Sequence, residues 1–146
     1  MKIAIASDHA GFELKKELIN YIKSLNHQIL DFGTYSNESV DYPDFAFPAA
    51  ESVASLVADY GILICGTGIG MSIVANKVQG IRAALCVDED YAKLARNHNN
   101  ANVLCLGARK TSPELAKKII DAFLEEDFEG DRHMIRVEKI HNLTRL

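Results

Sequence analysis

The stretch Tyr60-Gly61-Ile62-Leu63-Ile64-Cys65-Gly66-Thr67-Gly68-Ile69-Gly70-Met71-Ser72 decides the fold. Its first six residues form an apolar run of strand length, and three glycines within five residues follow. A helix-period segment over 69–78 comes next. A strand that turns through glycines directly into a helix is the repeating unit of a parallel α/β sheet. Such glycines let successive backbone N–H groups point into one concavity, which makes an anion site. The dinucleotide fingerprint is not met: counted from Gly66 its last position is Met71, and from Gly68 it is Ile73. The nucleotide-phosphate pattern G-x-x-x-x-G-K-[ST] is also missing. The plain alternative is a tight turn that holds nothing.

Working outward, the same alternation recurs. Lys2–Ser7 reads as a first strand, His27–Phe32 as a second closed by Gly33, Ile81–Val87 as a fourth and Val103–Leu106 as a fifth. Ala10–Leu25 has Leu14, Leu18, Ile22 and Leu25 at helical steps. Helical patterns also cover 88–98 and 112–125, where Asp88 and either Thr111 or Ser112 suit the N-cap and Pro113 is tolerated in the first turn. Arg132–Leu143 reads as a final helix, and Gly33–Pro43 is the one long non-periodic stretch. The pattern predicts a Rossmann-like three-layer α/β/α fold with a five-stranded parallel sheet, as a single domain over 1–146. In such sheets ligands bind beyond the carboxyl ends of the strands, where the strand order reverses.

Composition narrows the function classes. The chain has 146 residues, 48% of them hydrophobic and 25% charged, which is ordinary for a globular domain and excludes a disordered or collagen-like chain. Sixteen basic against 20 acidic residues leave a net charge of −4, a poor match to nucleic acid or a membrane surface. No apolar run approaches the roughly 18 residues of a spanning helix, and the N-terminus does not read as a signal peptide. Cys65, Cys86 and Cys105 form no C-x-x-C pair and no disulfide framework, so a cytoplasmic setting is expected. The histidines lack ligand spacing, so no metal site is expected.

The chemistry-bearing groups follow the strands. Ser7-Asp8-His9-Ala10-Gly11 follows the first and Gly107-Ala108-Arg109-Lys110 the fifth; Arg96-Asn97-His98-Asn99-Asn100 ends the helix after the fourth. These groups, with Arg132 and Arg136, are expected to converge on one rim. Cys65 ends its strand against the glycine turn, where N–H donors favour a thiolate able to act as base or nucleophile. A C-x₅-R phosphatase loop would need Arg at 71, where the chain has Met71. Cys86 and Cys105 read as core residues. Arg132 and Arg136 share one helix face, which suits a phosphate; pairing with Glu129 or Glu138 is the alternative. His27, His133 and His141 read as structural.

Five segments together resemble the type B ribose-5-phosphate isomerases, whose wider family includes allose- and galactose-6-phosphate isomerases. They are Ser7-Asp8-His9-Ala10-Gly11, Asp41-Tyr42-Pro43-Asp44, Cys65-Gly66-Thr67-Gly68-Ile69-Gly70, Arg96-Asn97-His98-Asn99, and Gly130-Asp131-Arg132-His133 with Arg136-Val137. The resemblance implies a cytoplasmic enzyme of pentose phosphate metabolism that needs neither metal nor organic cofactor. It opens a sugar ring and moves a proton between C2 and C1 through a cis-enediolate.

Cys65 would be the base, Thr67 would move the proton at the oxygens, and His98 would open the ring. The amides of Gly66, Thr67, Gly68, Ile69 and Gly70 would hold the enediolate oxygen. Asp8 and Asn99 would bind hydroxyls, His9, Arg109, Arg132 and Arg136 the phosphate, with Ser72 and Tyr42 lining the site. The resemblance also implies a homodimer, or a tetramer built from it, with His98, Asn99 and Arg109 supplied by the partner chain.

Two features bear on the branch. The family commonly has Gly-Gly before the Arg-His pair, where this chain has Gly130-Asp131. Another branch carries a carboxylate base just past the glycine turn, where this chain has Ala75 and Asn76. The chain therefore resembles the cysteine-base branch. A six-carbon phosphosugar substrate and a non-catalytic phosphosugar- or nucleotide-binding module are the competing expectations.

Overall fold

The computed structural model describes residues 1–146. Five strands, β1 (Lys2–Ser7), β2 (Gln28–Asp31), β3 (Tyr60–Cys65), β4 (Ala83–Leu85) and β5 (Val103–Gly107), pair in parallel in the order β2-β1-β3-β5-β4. Helices α1 (Phe12–Ser24), α2 (Pro43–Ala54), α3 (Ile69–Ala75), α4 (Glu89–Asn99) and α5 (Pro113–Glu125) cover the two faces, and α6 (Arg132–Thr144) closes the chain. The expected α/β/α sandwich is the fold observed.

The two faces follow from strand alternation. Ile3, Ile5, Ile62, Ile64, Leu104 and Leu106 point to one side, against Leu14, Leu18 and Ile22 of α1, Ala92 and Ala95 of α4, and Ile119, Ile120 and Phe123 of α5. Ala4, Ala6, Leu63, Cys65, Val103 and Cys105 point to the other, against Ala46, Ala49, Ala50 and Val53 of α2 and Met71 and Ala75 of α3. The second face is built largely from small residues, so α2 can lie close to the sheet.

Several boundaries differ from expectation. The expected helix over Ala10–Leu25 begins with a single 3₁₀ turn, His9–Gly11, capped by Asp8. α3 stops at Ala75 rather than 78, and β4 is three residues long because its register with β5 runs only over Ala83–Leu85. Asp88 and Ser112 cap α4 and α5 as expected, accepting from the N–H groups of Tyr91 at 2.9 Å and Leu115 at 3.2 Å. α2 was not foreseen. Its buried Ala46, Ala49, Ala50 and Val53 have helical spacing, but Pro48 inside the segment masks the pattern.

The strand order reverses between β1 and β3. Crossovers leave β1 toward β2 on one side and β3 toward β5 and β4 on the other. The carboxyl ends of β1 and β3 meet at Ser7 and Ile64, and the Asp8 N–H donates to Ile64 O at 3.2 Å. Asp8, His9 and the glycine turn therefore flank the crevice where this architecture binds ligands.

Candidate active site

Cys65 is the last residue of β3 and is 5% exposed. Its Sγ accepts the Gly68 N–H at 3.1 Å. That contact requires Gly68 to turn back with φ +78°, a conformation that costs other residues about 1–2 kcal/mol. The bond fixes the sulfur at the mouth of the glycine turn. The N–H groups of Gly66, Gly70 and Met71 make no hydrogen bond within the chain, so they stand ready for an anionic oxygen. Thr67 Oγ1 accepts the Ile69 N–H at 3.3 Å, while Ser72 Oγ donates to Ile69 O at 2.8 Å.

Neighbouring segments complete this rim. A Cβ on Gly70 would lie 2.6 Å from Tyr42 Cζ, so the Tyr42 ring rests on the bare glycine. A Cβ on Gly66 would meet Arg109 Nη1 at 3.0 Å. The Ala108 and Arg109 N–H groups donate to the Cys65 and Gly66 carbonyls, at 2.8 and 3.0 Å. Arg109 thus lies against the glycine turn of its own chain. Asp8 Oδ1 caps the 3₁₀ turn through the Gly11 N–H at 3.1 Å. His9 Nδ1 accepts the Val40 N–H at 3.2 Å, which leaves the proton on Nε2.

The other thiols behave as core. Burial, and then Asp88, pushes Cys86 up to about 12, and burial raises Cys105 well above the ordinary thiol value.

His98, Asn99, Arg132 and Arg136 lie elsewhere. A crossover helix runs antiparallel to the strands, so the carboxyl end of α4 sits at the amino edge of the sheet. Arg82, just before β4, donates from Nε to Asn99 O at 3.1 Å, and Arg96 donates to the Tyr60 hydroxyl at the start of β3 at 2.9 Å. The length of β3, about 17 Å, separates that edge from Cys65. Convergence of all these groups on one rim of one chain is therefore corrected: within the chain they form two clusters on opposite edges of the sheet. The start of α6 joins the second, because the His133 and His98 rings stack at 4.3 Å with 8° between planes. Arg132 and Arg136 form no ion pair in the chain, so pairing with Glu129 or Glu138 is not realised.

His133, read as structural from sequence, is the residue that reading underrated. It is buried, its Nε2 has no hydrogen-bond partner, and burial followed by His98 and Arg132 holds its pKa below the ordinary imidazole value. Its place beside Arg132 and four residues after Glu129 was the only signal.

The chain matches the ribose/galactose isomerase family over residues 3–140. It belongs to that family. Escherichia coli ribose-5-phosphate isomerase B is 49% identical over 139 residues, covering 95% of this chain and 93% of that one. Among solved structures, ribose 5-phosphate isomerase from Thermotoga maritima has a TM-score of 0.95 at 56% identity, over 97% of each chain. The Mycoplasma genitalium ribose-5-phosphate isomerase B, solved with bound ribulose-5-phosphate, has a TM-score of 0.95 at 47% identity, over 99% of this chain and 96% of that one. No helix of this family member is long and apolar enough to cross a membrane.

Proposed function

We propose that this chain interconverts D-ribose 5-phosphate and D-ribulose 5-phosphate through a cis-enediolate, as a cytoplasmic homodimer whose sites each draw on both chains. The observation that carries the reading is the Cys65 thiol, held by the Gly68 N–H beside unpartnered amides at the strand-order reversal. The likeness to a ligand-bound member of the family supports it.

The steps follow from the groups available. His98 of the partner subunit opens the furanose ring, with Asn99 of the partner subunit and Asp8 holding hydroxyls. Cys65 as thiolate takes the C2 proton of the open aldose and returns a proton to C1. Negative charge develops on the enediolate oxygen, where the amides of Gly66 and Gly70 stabilise it without reorganising. Thr67 shuttles the proton between O1 and O2. Redox state is conserved within the sugar, since one carbon is oxidised as its neighbour is reduced, so the step needs no external oxidant or reductant. His9 and Arg109 on one chain, with Arg132 and Arg136 on the other, bind the phosphate, while Tyr42, Ile69 and Ser72 line the crevice. A two-fold dimer brings the two opposite edges together twice, once for each site.

Proton NMR of ribose 5-phosphate in D₂O with the protein added tests the reaction. The expected result is ribulose 5-phosphate with deuterium entering at the transferred position. Turnover of allose 6-phosphate in preference to ribose 5-phosphate would move the assignment to the six-carbon branch. No change in either sugar would leave a binding module and overturn the proposal.

A further inference from the structure

We propose that His98, Glu129 and His133 bind a transition-metal dication of the Zn²⁺ type, and that its binding shuts off turnover. One nitrogen from each imidazole and one carboxylate oxygen lie within 4.8 Å of one another. Glu129 Oε2 is 3.5 Å from His133 Nε2 and 4.0 Å from His98 Nε2. Tetrahedral zinc holds nitrogen and oxygen ligands at about 2.0–2.2 Å, which sets donors about 3.3 Å apart. A modest contraction of the cluster therefore completes three corners of a tetrahedron, and water supplies the fourth.

The independent pointer is His133. The residue is 6% exposed, yet its Nε2 makes no hydrogen bond. A buried polar atom without a partner is uncommon and calls for one. The carboxylate is already in place. Glu129 lies four residues before His133, in the segment that leads into α6, and its N–H donates to Asn97 O at 3.1 Å, which ties it to the end of α4.

Two features set the character of the site. The stacked rings are nearly parallel, so in-plane nitrogen lone pairs on the two do not converge and one ring must turn to share a metal. His98 is that ring, since its side chain is 38% exposed while that of His133 is 7% exposed. Arg132 is adjacent to His133 and Arg136 lies three residues further along α6, so two positive charges flank the site and oppose a dication. Affinity must then come from imidazole donor strength, which selects Zn²⁺ or Co²⁺ over Mg²⁺ and Ca²⁺. The shut-off rests on the reaction proposed above, because a metal on Nε2 removes the lone pair that His98 needs for ring opening. The binding itself does not rest on it.

The test uses the full chain with Cys65→Ser, so that the thiol does not compete for metal. Titration with Co²⁺ should give one ion per chain, with visible d–d bands that Zn²⁺ abolishes and Mg²⁺ does not. Glu129→Gln and His133→Asn should each weaken binding at least about tenfold, since even outer-shell losses cost about 10–100-fold. With Cys65 restored, Zn²⁺ should inhibit the parent enzyme, while Glu129→Gln should keep metal-free turnover and lose the sensitivity. Co²⁺ binding that is absent, or indifferent to both substitutions, overturns the site. Intact binding with no inhibition overturns the shut-off. A chain that binds Co²⁺ as described but never isomerises ribose 5-phosphate sinks the assigned reaction and leaves the metal site standing.

Discussion

Gly68→Ala and Gly80→Ala form a matched pair that separates backbone strain from crowding at the turn. The two glycines have nearly the same φ, +78° and +83°. A methyl group at Gly80 meets nothing within 4 Å. At Gly68 it would lie 2.5 Å from Leu85 Cδ1, 2.9 Å from the Leu106 carbonyl carbon and 3.1 Å from its oxygen. Leu85 can rotate, but Leu106 is backbone of a central strand and cannot yield. Left-handed strain costs both variants about 1–2 kcal/mol. Overpacking against a fixed backbone adds about 1–3 kcal/mol at Gly68 alone. Gly80→Ala should therefore lose about 1–2 kcal/mol and Gly68→Ala about 2–5 kcal/mol. Urea unfolding at one fixed protomer concentration reads the difference, because the stability of the proposed dimer would depend on concentration. Relief of the clash moves the Gly68 N–H off Cys65 Sγ, so kcat/KM should fall for Gly68→Ala and hold for Gly80→Ala. Equal stability losses in the two variants, or unchanged kinetics in Gly68→Ala, would refute the reasoning.

The remaining predictions concern chemistry and strain. Cys65→Ala should lower kcat by about 10²- to 10⁴-fold, as for loss of a general base, whereas Arg136→Ala should raise KM roughly 10- to 100-fold through lost charge-assisted hydrogen bonds; steady-state kinetics separates the two. Asp131 has φ +47° and makes no capping bond, so Asp131→Gly should raise stability by about 1 kcal/mol in urea unfolding. The Tyr21 hydroxyl donates to both carboxylate oxygens of Asp121, at 2.6 and 2.7 Å, and this bond raises its pKa to about 12. Its folded value lies above the unfolded value of about 10, so its contribution is complete below that pH and is lost as pH climbs toward 12. Between those values the parent should lose stability that Tyr21→Phe does not lose, as read by unfolding midpoints across the range.

What the sequence makes legible is local. β1 and β3 have the expected bounds because each is a bare apolar run ended by a polar group or a glycine. The turn at Cys65 is legible because glycine spacing is itself a backbone statement. α2 is hidden because Pro48 argues against a helix while alanines at helical spacing argue for one, and only packing against Ala4 and Ala6 decides it. The placement of His98 is misread for a topological reason: following a strand in sequence puts the start of the next helix at the carboxyl edge, but not its end. His133 shows little locally beyond Arg132 beside it and Glu129 four residues before it, since its stacking partner lies 35 positions earlier.

The division of the site between two chains is the central claim, and subunit complementation tests it most directly. Cys65→Ala and His98→Asn homodimers are each expected to be inactive. After mixing and subunit exchange, heterodimers confirmed by native mass spectrometry should contain one site with both groups intact. Activity should then recover to about a quarter of the parent value, from half the dimers with one working site in two. Heterodimers that form without recovering activity would contradict the account.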